Sequence, residues 1–297
     1  MNVEKRVNPV YRKRGNPDLV MNAYNNTLKQ WKVPFDSIYV STSFGSVHVL
    51  VSGKENAEPM VLLHGFGFSS TMWSENISAL SDHYRVYAID FPGDINRSVS
   101  AQSIKNKTDC ALWFIEMMDR LHIDQAHVCG HSYGGFLTLV LASRVSERIR
   151  KIVIISPGAG LQPQSIRFFI RCLLAGMRPT TKRIQNLMDY MTGDGNIINQ
   201  AIKNQFLVSM QNALPRTKLF VSYIKDNELE QITVPALLLI GDQDIQYDVE
   251  RAIKRARETI NGIEAIVVPH AGHGLPLEKS EIVNRFMLDF LGRKMNK

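Results

Sequence analysis

The chain has 297 residues, 44% of them hydrophobic and 21% charged, and it carries a formal net charge of +7 with an isoelectric point near 9.3. This length allows one large α/β domain, or such a domain with a smaller insertion, and the composition is that of a soluble globular enzyme. No apolar run approaches the roughly 20 residues that cross a bilayer, and the basic residues are too dispersed to indicate binding to nucleic acid.

Residues 1–35 predict a basic, polar arm followed by a helix. The arm lacks the apolar core of a signal peptide, and the three cysteines show no paired spacing, so a cytoplasmic protein is expected. Basic residues cluster only at Lys5-Arg6 and at 12–14, where a solvated, mobile terminus explains them better than an arm that binds nucleic acid. Apolar side chains at helical spacing over 18–31 predict the helix.

From residue 36 onward the pattern is that of an α/β core. Short β-branched runs at 37–41 and 47–51, joined by a glycine-containing turn, predict a hairpin. The later strands are continuously apolar, which is typical of a mostly parallel sheet with helices on both faces. These predicted strands lie at 60–63, 84–89, 126–129, 151–155, 236–240 and 264–268. The predicted helices between and after them lie at 73–80, 108–121, 136–142, 249–259 and 282–291.

Residues 158–233 break this alternation because they contain no convincing β run. A structureless loop of that length is improbable inside a compact domain. We therefore predict a helical cap inserted over the carboxyl edge of the sheet, with the core formed by 36–157 and 234–297. The predicted helices of the cap lie at 165–177, 182–191 and 197–210.

The pentad Gly130-His131-Ser132-Tyr133-Gly134 lies between a predicted strand and a predicted helix. In the order strand, G-x-S-x-G turn and helix, a sharp left-handed turn lifts the serine hydroxyl clear of the sheet. Small residues two positions before and after the serine are needed, because larger side chains would strike neighbouring backbone. The pattern predicts Ser132 as a nucleophile.

A serine hydroxyl is a poor nucleophile near neutrality and needs a base and an orienting acid. His273 lies in a glycine-flanked loop after the last predicted strand, at the edge where the serine emerges, and is the predicted base ahead of His270. Asp244 follows the preceding strand and is the predicted acid ahead of Asp242 and Asp248. The chain order serine, acid, histidine fits the same arrangement.

Donors for a developing oxyanion are predicted at the backbone N–H groups of Phe66 and Tyr133. Phe66 lies in the loop His64-Gly65-Phe66-Gly67 at the end of a strand, and Tyr133 follows the serine. The side chains of Phe66, Phe68 and Tyr133 are the predicted substrate-binding groups, although Phe66, Phe68 and Trp73 fit plain packing equally well. No spacing typical of metal ligands occurs, so no metal is expected.

Together these motifs resemble the α/β-hydrolase family over residues 37–291. More narrowly, several segments are similar to bacterial carboxylesterases of the carboxylesterase NP type. The resemblance implies an α/β-hydrolase fold with an eight-stranded sheet, a helical lid and ester hydrolysis without a cofactor. The similar segments lie at 39–45, 69–73, 93–98 and 246–248.

Two positions depart from common patterns of this family. Many members carry a G-x-G-x-S loop where this chain has Asp94 and Asn96, and His131 before the serine also occurs in hydrolases that break C–C bonds. Neither departure changes the predicted triad, but both leave the substrate open.

The expected function is that of a serine carboxylesterase for small to medium esters. We expect a monomer or homodimer that acts on a small molecule, with neither nucleic acid nor membrane as a partner. One alternative is a C–C bond hydrolase or lyase, whose diketone-type substrate would offer a carboxylate to Arg167, Arg171 and Arg178; a solvated helix face explains these arginines equally well. Another alternative is a signalling or partner-binding protein that retains the triad.

Overall fold

The first helix precedes the sheet and is capped by a side chain. The computed structural model describes residues 10–294, so Lys5 and Arg6 of the expected arm lie outside the described residues. Helix α1 spans Pro17–Leu28, and the side chain of Asn16 accepts the backbone N–H groups of Asp18 and Leu19. These two hydrogen bonds satisfy donors that have no partner within the helix.

Arg12 does not belong to a solvated arm, contrary to the expectation from sequence. Its guanidinium donates to the carbonyls of Met210, Ala213 and Gly176 at 2.7 to 3.1 Å. The carbonyls of Met210 and Gly176 lie in the last turns of two different helices, where a cation is favoured because the unpaired carbonyls carry partial negative charge. Such a long-range contact leaves no local pattern in the sequence.

A mixed sheet forms the centre of the described part of the chain, and it contains nine strands. Its strands are β1 (Phe35–Thr42), β2 (Gly45–Ser52), β3 (Pro59–Leu63), β4 (Arg85–Ile89), β5 (Val99–Ser100), β6 (Ala126–His131), β7 (Ile149–Ile155), β8 (Ala236–Gly241) and β9 (Glu264–Val268). The order along the sheet is β1-β2-β4-β3-β6-β7-β8-β9, with β5 paired to β2. The pairs that involve β1, β2 and β5 are antiparallel and the others are parallel.

The α/β-hydrolase fold predicted from sequence is confirmed, but the expected count of eight strands is wrong by one. The additional strand is β5, which pairs Val99 and Ser100 with Ser46 and Gly45 at the start of β2. A strand of two residues is too short to show a period in its side chains. The eight expected strands are those along the main path of the sheet.

Helices cover both faces of this sheet. Before β7 they are α2 (Ile77–Ser81), α3 (Lys107–Arg120) and α4 (Tyr133–Ala142), with a 3-10 helix at Ser70–Glu75. Between β7 and β8 they are α5 (Ile166–Met177), α6 (Thr181–Met191), α7 (Gln200–Asn212) and α8 (Asp226–Leu229). After β8 they are α9 (Val249–Thr259), α10 (Leu275–Glu278) and α11 (Ser280–Leu291).

The sheet separates two apolar clusters. Side chains that alternate along β2 show the division, since Val49 and Val51 join one cluster and Leu50 joins the other. The first cluster contains the buried faces of α3, α4 and α9. The second contains those of α2, α11, α6 and α7. Burial on both faces explains why the parallel strands are continuously apolar in sequence.

We call the segment between β7 and β8, residues 156–235, the insert. Its helix α7 packs against α1, and the Thr27 hydroxyl of α1 donates to the Ala201 carbonyl of α7 at 3.0 Å. The sequence predicted α5 and α6 closely, but it began the third helix, α7, three residues too early and ended it two residues too early, and it missed the four-residue α8. Among residues 10–294, no helix has the length and hydropathy needed to cross a bilayer.

One guanidinium joins both ends of the insert to the core. Arg255 of α9 donates to the carbonyls of Gly160 and Leu161 at the start of the insert. It also donates to the carbonyl of Ile224 and forms an ion pair with Asp226 near the end of the insert. Because Arg255 is buried, loss of its side chain would leave several acceptors without a donor.

We predict that Arg255→Ala lowers the free energy of unfolding by about 2–4 kcal/mol, because it removes a buried hydrogen-bonded charge. Arg255→Lys should recover only part of this loss, since an ammonium cannot reproduce the planar array of donors. Urea denaturation measures the effect, and limited proteolysis should show cleavage near both ends of the insert. The matched control is Arg251→Ala on the exposed face of α9; an equal loss in that variant would contradict the role given to Arg255.

Candidate active site

Ser132 occupies the tight turn between β6 and α4. Its backbone angles are φ 52° and ψ −111°, in the left-handed region that side chains other than glycine rarely adopt. A Cβ on Gly130 would lie 2.1 Å from the Gly134 carbonyl oxygen, and a Cβ on Gly134 would lie 2.1 Å from that of Leu63. Both glycines are therefore required for the close packing that lifts the serine side chain above the sheet.

The structure brings the three residues predicted as a triad together. The Ser132 Oγ lies 2.9 Å from Nε2 of His273, and Nδ1 of His273 lies 2.9 Å and 3.2 Å from the two carboxylate oxygens of Asp244. Asp244 and His273 are buried, whereas Ser132 is half-buried. The three come from loops after β6, β8 and β9, which end at the same edge of the sheet.

The Asp244 carboxylate fixes the orientation of the imidazole. Burial by itself raises the pKa of Asp244, but the His273 imidazole holds this pKa below its usual range by its charge and its hydrogen bond. The backbone N–H of Gln246 adds a hydrogen bond of 2.9 Å to Oδ1. Asp244 is therefore ionised at neutral pH and favours the tautomer of His273 that carries its hydrogen on Nδ1. Nε2 is then free to accept the proton of the Ser132 hydroxyl.

The rival residues considered from sequence do not enter this arrangement. His270 is exposed, and its carbonyl accepts the side chain of Asn196 at 2.8 Å. Asp242 accepts the backbone N–H of Ala271 at 3.2 Å, and Asp248 caps the N-terminus of α9. Each therefore stabilises a loop or a helix end near the site.

His131 packs beside His273 and stays neutral. Burial and the neighbouring His273 lower the pKa of His131 to about 3. The Nε2 of His131 lies 2.8 Å from the His273 carbonyl oxygen, to which it can donate a hydrogen bond. The two ring centroids are 5.3 Å apart. A neutral His131 holds the loop of the base without placing a positive charge next to it, and such a charge would oppose protonation of His273.

The predicted oxyanion donors lie on two segments next to Ser132. Tyr133 begins α4, so its N–H group is among those that have no partner within the helix. Phe66 lies in the loop after β3, directly before Gly67. The φ of Gly67 is 77°, in the left-handed region that favours glycine. The rings of Phe66 and Tyr133 meet edge to face with centroids 6.0 Å apart. The roles of both N–H groups stay predictions from the family pattern.

Asp94 holds the loop that carries Phe66. Its carboxylate accepts the Gly67 N–H at 3.0 and 3.2 Å and the Ile95 N–H at 2.7 Å. Burial raises the pKa of Asp94 to about 6, despite these hydrogen bonds. The sequence marked Asp94 only as a departure from a common loop, because its contact with Gly67 spans 27 positions.

His64 fixes the same loop from its other side. Its Nε2 accepts the Phe91 N–H at 2.9 Å, so its hydrogen lies on Nδ1, which donates to the Gly65 carbonyl at 2.8 Å. Asn96 donates to the Phe91 carbonyl at 2.9 Å and supports the same arrangement. His64 thus stabilises the loop and does not reach Ser132.

Glu278 connects the loop of the base to the insert, a role that sequence reasoning missed. One of its carboxylate oxygens accepts the N–H of Gly193 at 2.8 Å, the N–H of Gly272 at 3.0 Å and the side-chain amide of Asn196 at 2.8 Å. Gly272 directly precedes His273, so this carboxylate ties the insert to the position of the imidazole. Only the folded structure brings these donors together, and no spacing in the sequence indicates them.

A cavity of about 260 Å³ opens above Ser132, between the edge of the sheet and the insert. The three side chains predicted to bind substrate, Phe66, Phe68 and Tyr133, all line it. Phe68 also stacks on Phe206 of α7 with ring centroids 4.7 Å apart. Trp73, by contrast, is fully buried in the core. The remaining lining is largely apolar, with Gln164, Thr217 and Gln246 among its few polar side chains.

Of the residues that the structure describes, no arginine or lysine lines this cavity. Arg167, Arg171 and Arg178 are exposed on or next to α5, and the Arg171 guanidinium lies over the ring of Tyr190 at 4.1 Å. The structure therefore does not bring these arginines to the serine. Nor do residues 10–294 contain a cluster of three or more His, Cys, Asp or Glu side chains placed to hold a metal ion.

A second Ser–His–Asp arrangement lies away from this cavity. The Ser37 hydroxyl is 2.8 Å from Nε2 of His48, whose Nδ1 is 2.9 Å from Asp90. Asp90 also accepts the hydroxyl of Tyr24 and the N–H of Ser70. Ser37 stands within the extended strand β1, opposite Leu50 of β2, and not at a turn between a strand and a helix like that of Ser132. This network joins the β1–β2 hairpin to β4 and α1.

A family model and two relatives of known sequence each match most of this chain. The family model of the alpha/beta hydrolase family matches residues 60–286. The chain is 36% identical over 273 residues to a protein of Bacillus subtilis named uncharacterized carboxylesterase nap, and the match covers 90% of both chains. It is 34% identical over 278 residues to carboxylesterase YbfK of the same organism, covering 91% of this chain and 92% of that one.

A solved structure shares the architecture over nearly the whole chain. The crystal structure of naproxen esterase, also called carboxylesterase NP, from Bacillus subtilis matches with a TM-score of 0.89 at 33% identity. The match covers 94% of this chain and all of the other. The resemblance inferred from short motifs therefore extends to the fold as a whole.

The raised pKa of Asp94 predicts a pH dependence of stability that Asp94→Asn removes. The pKa of Asp94 is about 6 in the folded state, whereas the usual pKa of an aspartate is 3.8. Between these values the folded state binds more protons than the unfolded state, so stability falls as pH rises. We expect the free energy of unfolding of the wild type, relative to Asp94→Asn, to fall by about 3 kcal/mol in total between about pH 2 and pH 8, with about 2 kcal/mol of that fall between pH 4 and 6, and to level off above about pH 7. Urea denaturation at several pH values measures this; a difference that does not change with pH would contradict it.

Proposed function

The chain belongs to the alpha/beta hydrolase family, and we propose that it is a serine carboxylesterase that cleaves small to medium, largely apolar esters without a cofactor. The observation that carries the proposal is the continuous hydrogen-bonded path from Ser132 through His273 to Asp244 at the base of the cavity. The relatives named carboxylesterase nap and carboxylesterase YbfK, and the naproxen esterase structure, support the choice of esters.

In the proposed first step, Oγ of Ser132 attacks the carbonyl carbon of the ester. Nε2 of His273 accepts the hydroxyl proton, and the distance of 2.9 Å between these atoms suits the transfer. The Asp244 carboxylate stabilises the imidazolium that forms and keeps its ring in position. The imidazolium then protonates the leaving alcohol, and the acyl group remains on Ser132.

Negative charge develops on the carbonyl oxygen during this attack. The backbone N–H groups of Phe66 and Tyr133 would donate hydrogen bonds to this oxygen and stabilise its charge. They belong to the loop after β3 and to the first turn of α4, beside Ser132. Asp94 and His64 hold the Phe66 loop before substrate arrives. Such preorganisation matters because donors that need no rearrangement stabilise the transition state most effectively.

A water molecule completes the reaction by the same path in reverse. His273 removes a proton from water, the resulting hydroxide attacks the acyl group, and Ser132 recovers its proton as the carboxylic acid leaves. His131 supports both steps, because in its neutral form it does not compete with His273 for the positive charge.

The lining of the cavity favours an uncharged, apolar substrate. Aromatic and aliphatic side chains dominate the surface next to Ser132, so apolar acyl groups gain by leaving water. A substrate carboxylate would have to be desolvated there without an arginine or lysine to receive it. This disfavours the alternative of a C–C bond hydrolase that binds its substrate through Arg167, Arg171 and Arg178. We also propose that the enzyme is cytoplasmic, because its few cysteines show no paired spacing. We propose further that it acts as a monomer or homodimer.

The serine assignment is tested with Ser132→Ala. We predict a loss of kcat of about ten thousandfold or more, because the nucleophile is absent while the fold is retained. A fluorophosphonate probe should label the wild type and fail to label the variant. The matched control is Ser37→Ala, which removes the other serine next to a histidine and should keep both labelling and turnover. Full activity in Ser132→Ala would refute the assignment, and stoichiometric rather than catalytic ester consumption by the wild type would favour the signalling alternative.

The substrate class is tested with matched esters. We predict that kcat/KM for p-nitrophenyl butyrate exceeds that for the p-nitrophenyl hemiester of succinic acid by about tenfold or more, because the cavity offers the second carboxylate no cation. Turnover of a ring-fission dienoate should be far slower than that of either ester. A preference for the dienoate would instead support the C–C bond hydrolase.

A further inference from the structure

Helix α5 presents an apolar face to solvent. Six large hydrophobic side chains recur on it at intervals of three and four residues, and between 46% and 68% of each is exposed. We call them the α5 stripe; its members are Ile166, Phe169, Ile170, Leu173, Leu174 and Met177. The opposite side of the helix carries its buried residues, Phe168 and Ala175. A contiguous apolar surface of this kind on a soluble protein marks a site of interaction.

Positive charge accompanies the α5 stripe. At 100° per residue, Arg167, Arg171 and Arg178 fall together on one flank of the helix, beside the apolar face. The stretch 161–188 contains five basic residues and no acidic residue. An amphipathic helix with aromatic and aliphatic side chains on one face and arginines beside them is typical of segments that lie in a membrane–water interface.

The α5 stripe is continuous with the cavity above Ser132. Phe169 belongs to the stripe and also lines the cavity. Phe220 lines the cavity as well and is 70% exposed, so both rings lie where the cavity meets solvent. On the inner side of the helix, the Phe168 ring lies 5.8 Å from the ring of His273. One face of α5 thus covers the base, and the other is the exposed stripe.

We propose that the α5 stripe docks this protein on an anionic lipid–water interface. The helix would lie in the plane of the interface, with its apolar side chains among the acyl chains and its arginines against the acidic headgroups. This departs from the expectation, drawn from the sequence, that a membrane is not a partner. The cavity opens beside the docked face, so the surface also brings the proposed active site close to apolar esters dissolved in lipid.

Charge distinguishes this occupant from a second copy of the chain. In a symmetric dimer the same patch meets itself, and residues 161–188 offer no carboxylate to pair with the arginines of the other copy. An acidic lipid surface supplies the complementary charge directly. The cytoplasmic leaflet of a membrane is such a surface, since it is rich in anionic lipids.

The first test measures binding to vesicles by co-sedimentation. Wild type and Ser132→Ala should both bind vesicles of equal parts phosphatidylglycerol and phosphatidylcholine, and both should bind pure phosphatidylcholine much more weakly. Leu173→Glu should weaken binding to the mixed vesicles by about tenfold or more, because it removes an exposed apolar side chain that docking would bury among the acyl chains. The matched control is Leu112→Glu on α3, since Leu112 and Leu173 are 50% and 47% exposed.

The contribution of charge is tested separately. Arg167→Gln combined with Arg178→Gln should weaken binding to the mixed vesicles by about 25-fold, since each basic residue near an anionic surface contributes about fivefold. The control neutralises two exposed basic residues of α9 through Arg251→Gln and Lys254→Gln and should leave binding unchanged. Circular dichroism confirms that each variant is folded.

Three results would overturn the proposal. The first is wild type that remains free in the presence of the mixed vesicles, or that binds both kinds of vesicle equally. The second is an equal loss of binding in Leu112→Glu and Leu173→Glu. The third is a dimer, seen by sedimentation velocity, that Leu173→Glu dissociates. Vesicle binding is measured without turnover, and Ser132→Ala lacks the proposed nucleophile. The test can therefore refute membrane docking without refuting ester hydrolysis, and a failure of ester hydrolysis would leave the docking result intact.

Discussion

The close packing at the junction of β6 and α4 is the constraint on which the rest of the site depends. Ser132 adopts a left-handed backbone, which costs of the order of 1–3 kcal/mol for such a residue. The surrounding chain offsets this cost, since the Ser132 N–H donates to the Ile155 carbonyl and its own carbonyl accepts the N–H groups of Phe136 and Gly158. Gly158 belongs to the insert, so its hydrogen bond to the Ser132 carbonyl also fixes the start of the insert relative to the strained turn.

Three carboxylates, of which Asp244 and Asp94 are buried and Glu278 is half-buried, then place the loops around this turn. Asp244 orients the His273 ring, Asp94 receives the Gly67 N–H, and Glu278 gathers donors from the insert and from the loop before His273. The pKa values of Asp244 and Asp94 move in opposite directions although both groups are fully buried. Only Asp244 forms a hydrogen bond with an imidazole, and this offsets the cost of burying its charge. For Asp94 burial prevails, so its ionised form is stabilised less than it would be in water.

What the sequence could predict depended on local pattern. Ser132 was recognisable because the glycines that its turn requires lie two positions on either side, and His273 because glycines flank it after the last strand. Strand 264–268 and helix 249–259 were predicted with the bounds that the structure has, since the strand is a short apolar, β-branched run and the helix has a clear helical period. Arg12, Arg255 and Glu278 could not be assigned, because their partners lie far along the chain. Elements as short as β5 and α8 contain too few residues to show a period.

A helical period in the sequence also does not predict whether the apolar side of the helix faces the core or the solvent. The stripe on α11 points into the core, where Val283, Met287 and Phe290 are buried, as is usual for an amphipathic helix at a protein surface. On α5 the larger apolar side points away from the core, and on its inner side the buried residues Phe168 and Ala175 share a small apolar cluster with Leu187 of α6. Burial within the chain therefore explains the sequence of α11 but not that of α5. The outward side of α5 leaves between 46% and 68% of each of six large apolar residues exposed, and a surface of that composition is typical of a site where a partner removes it from water.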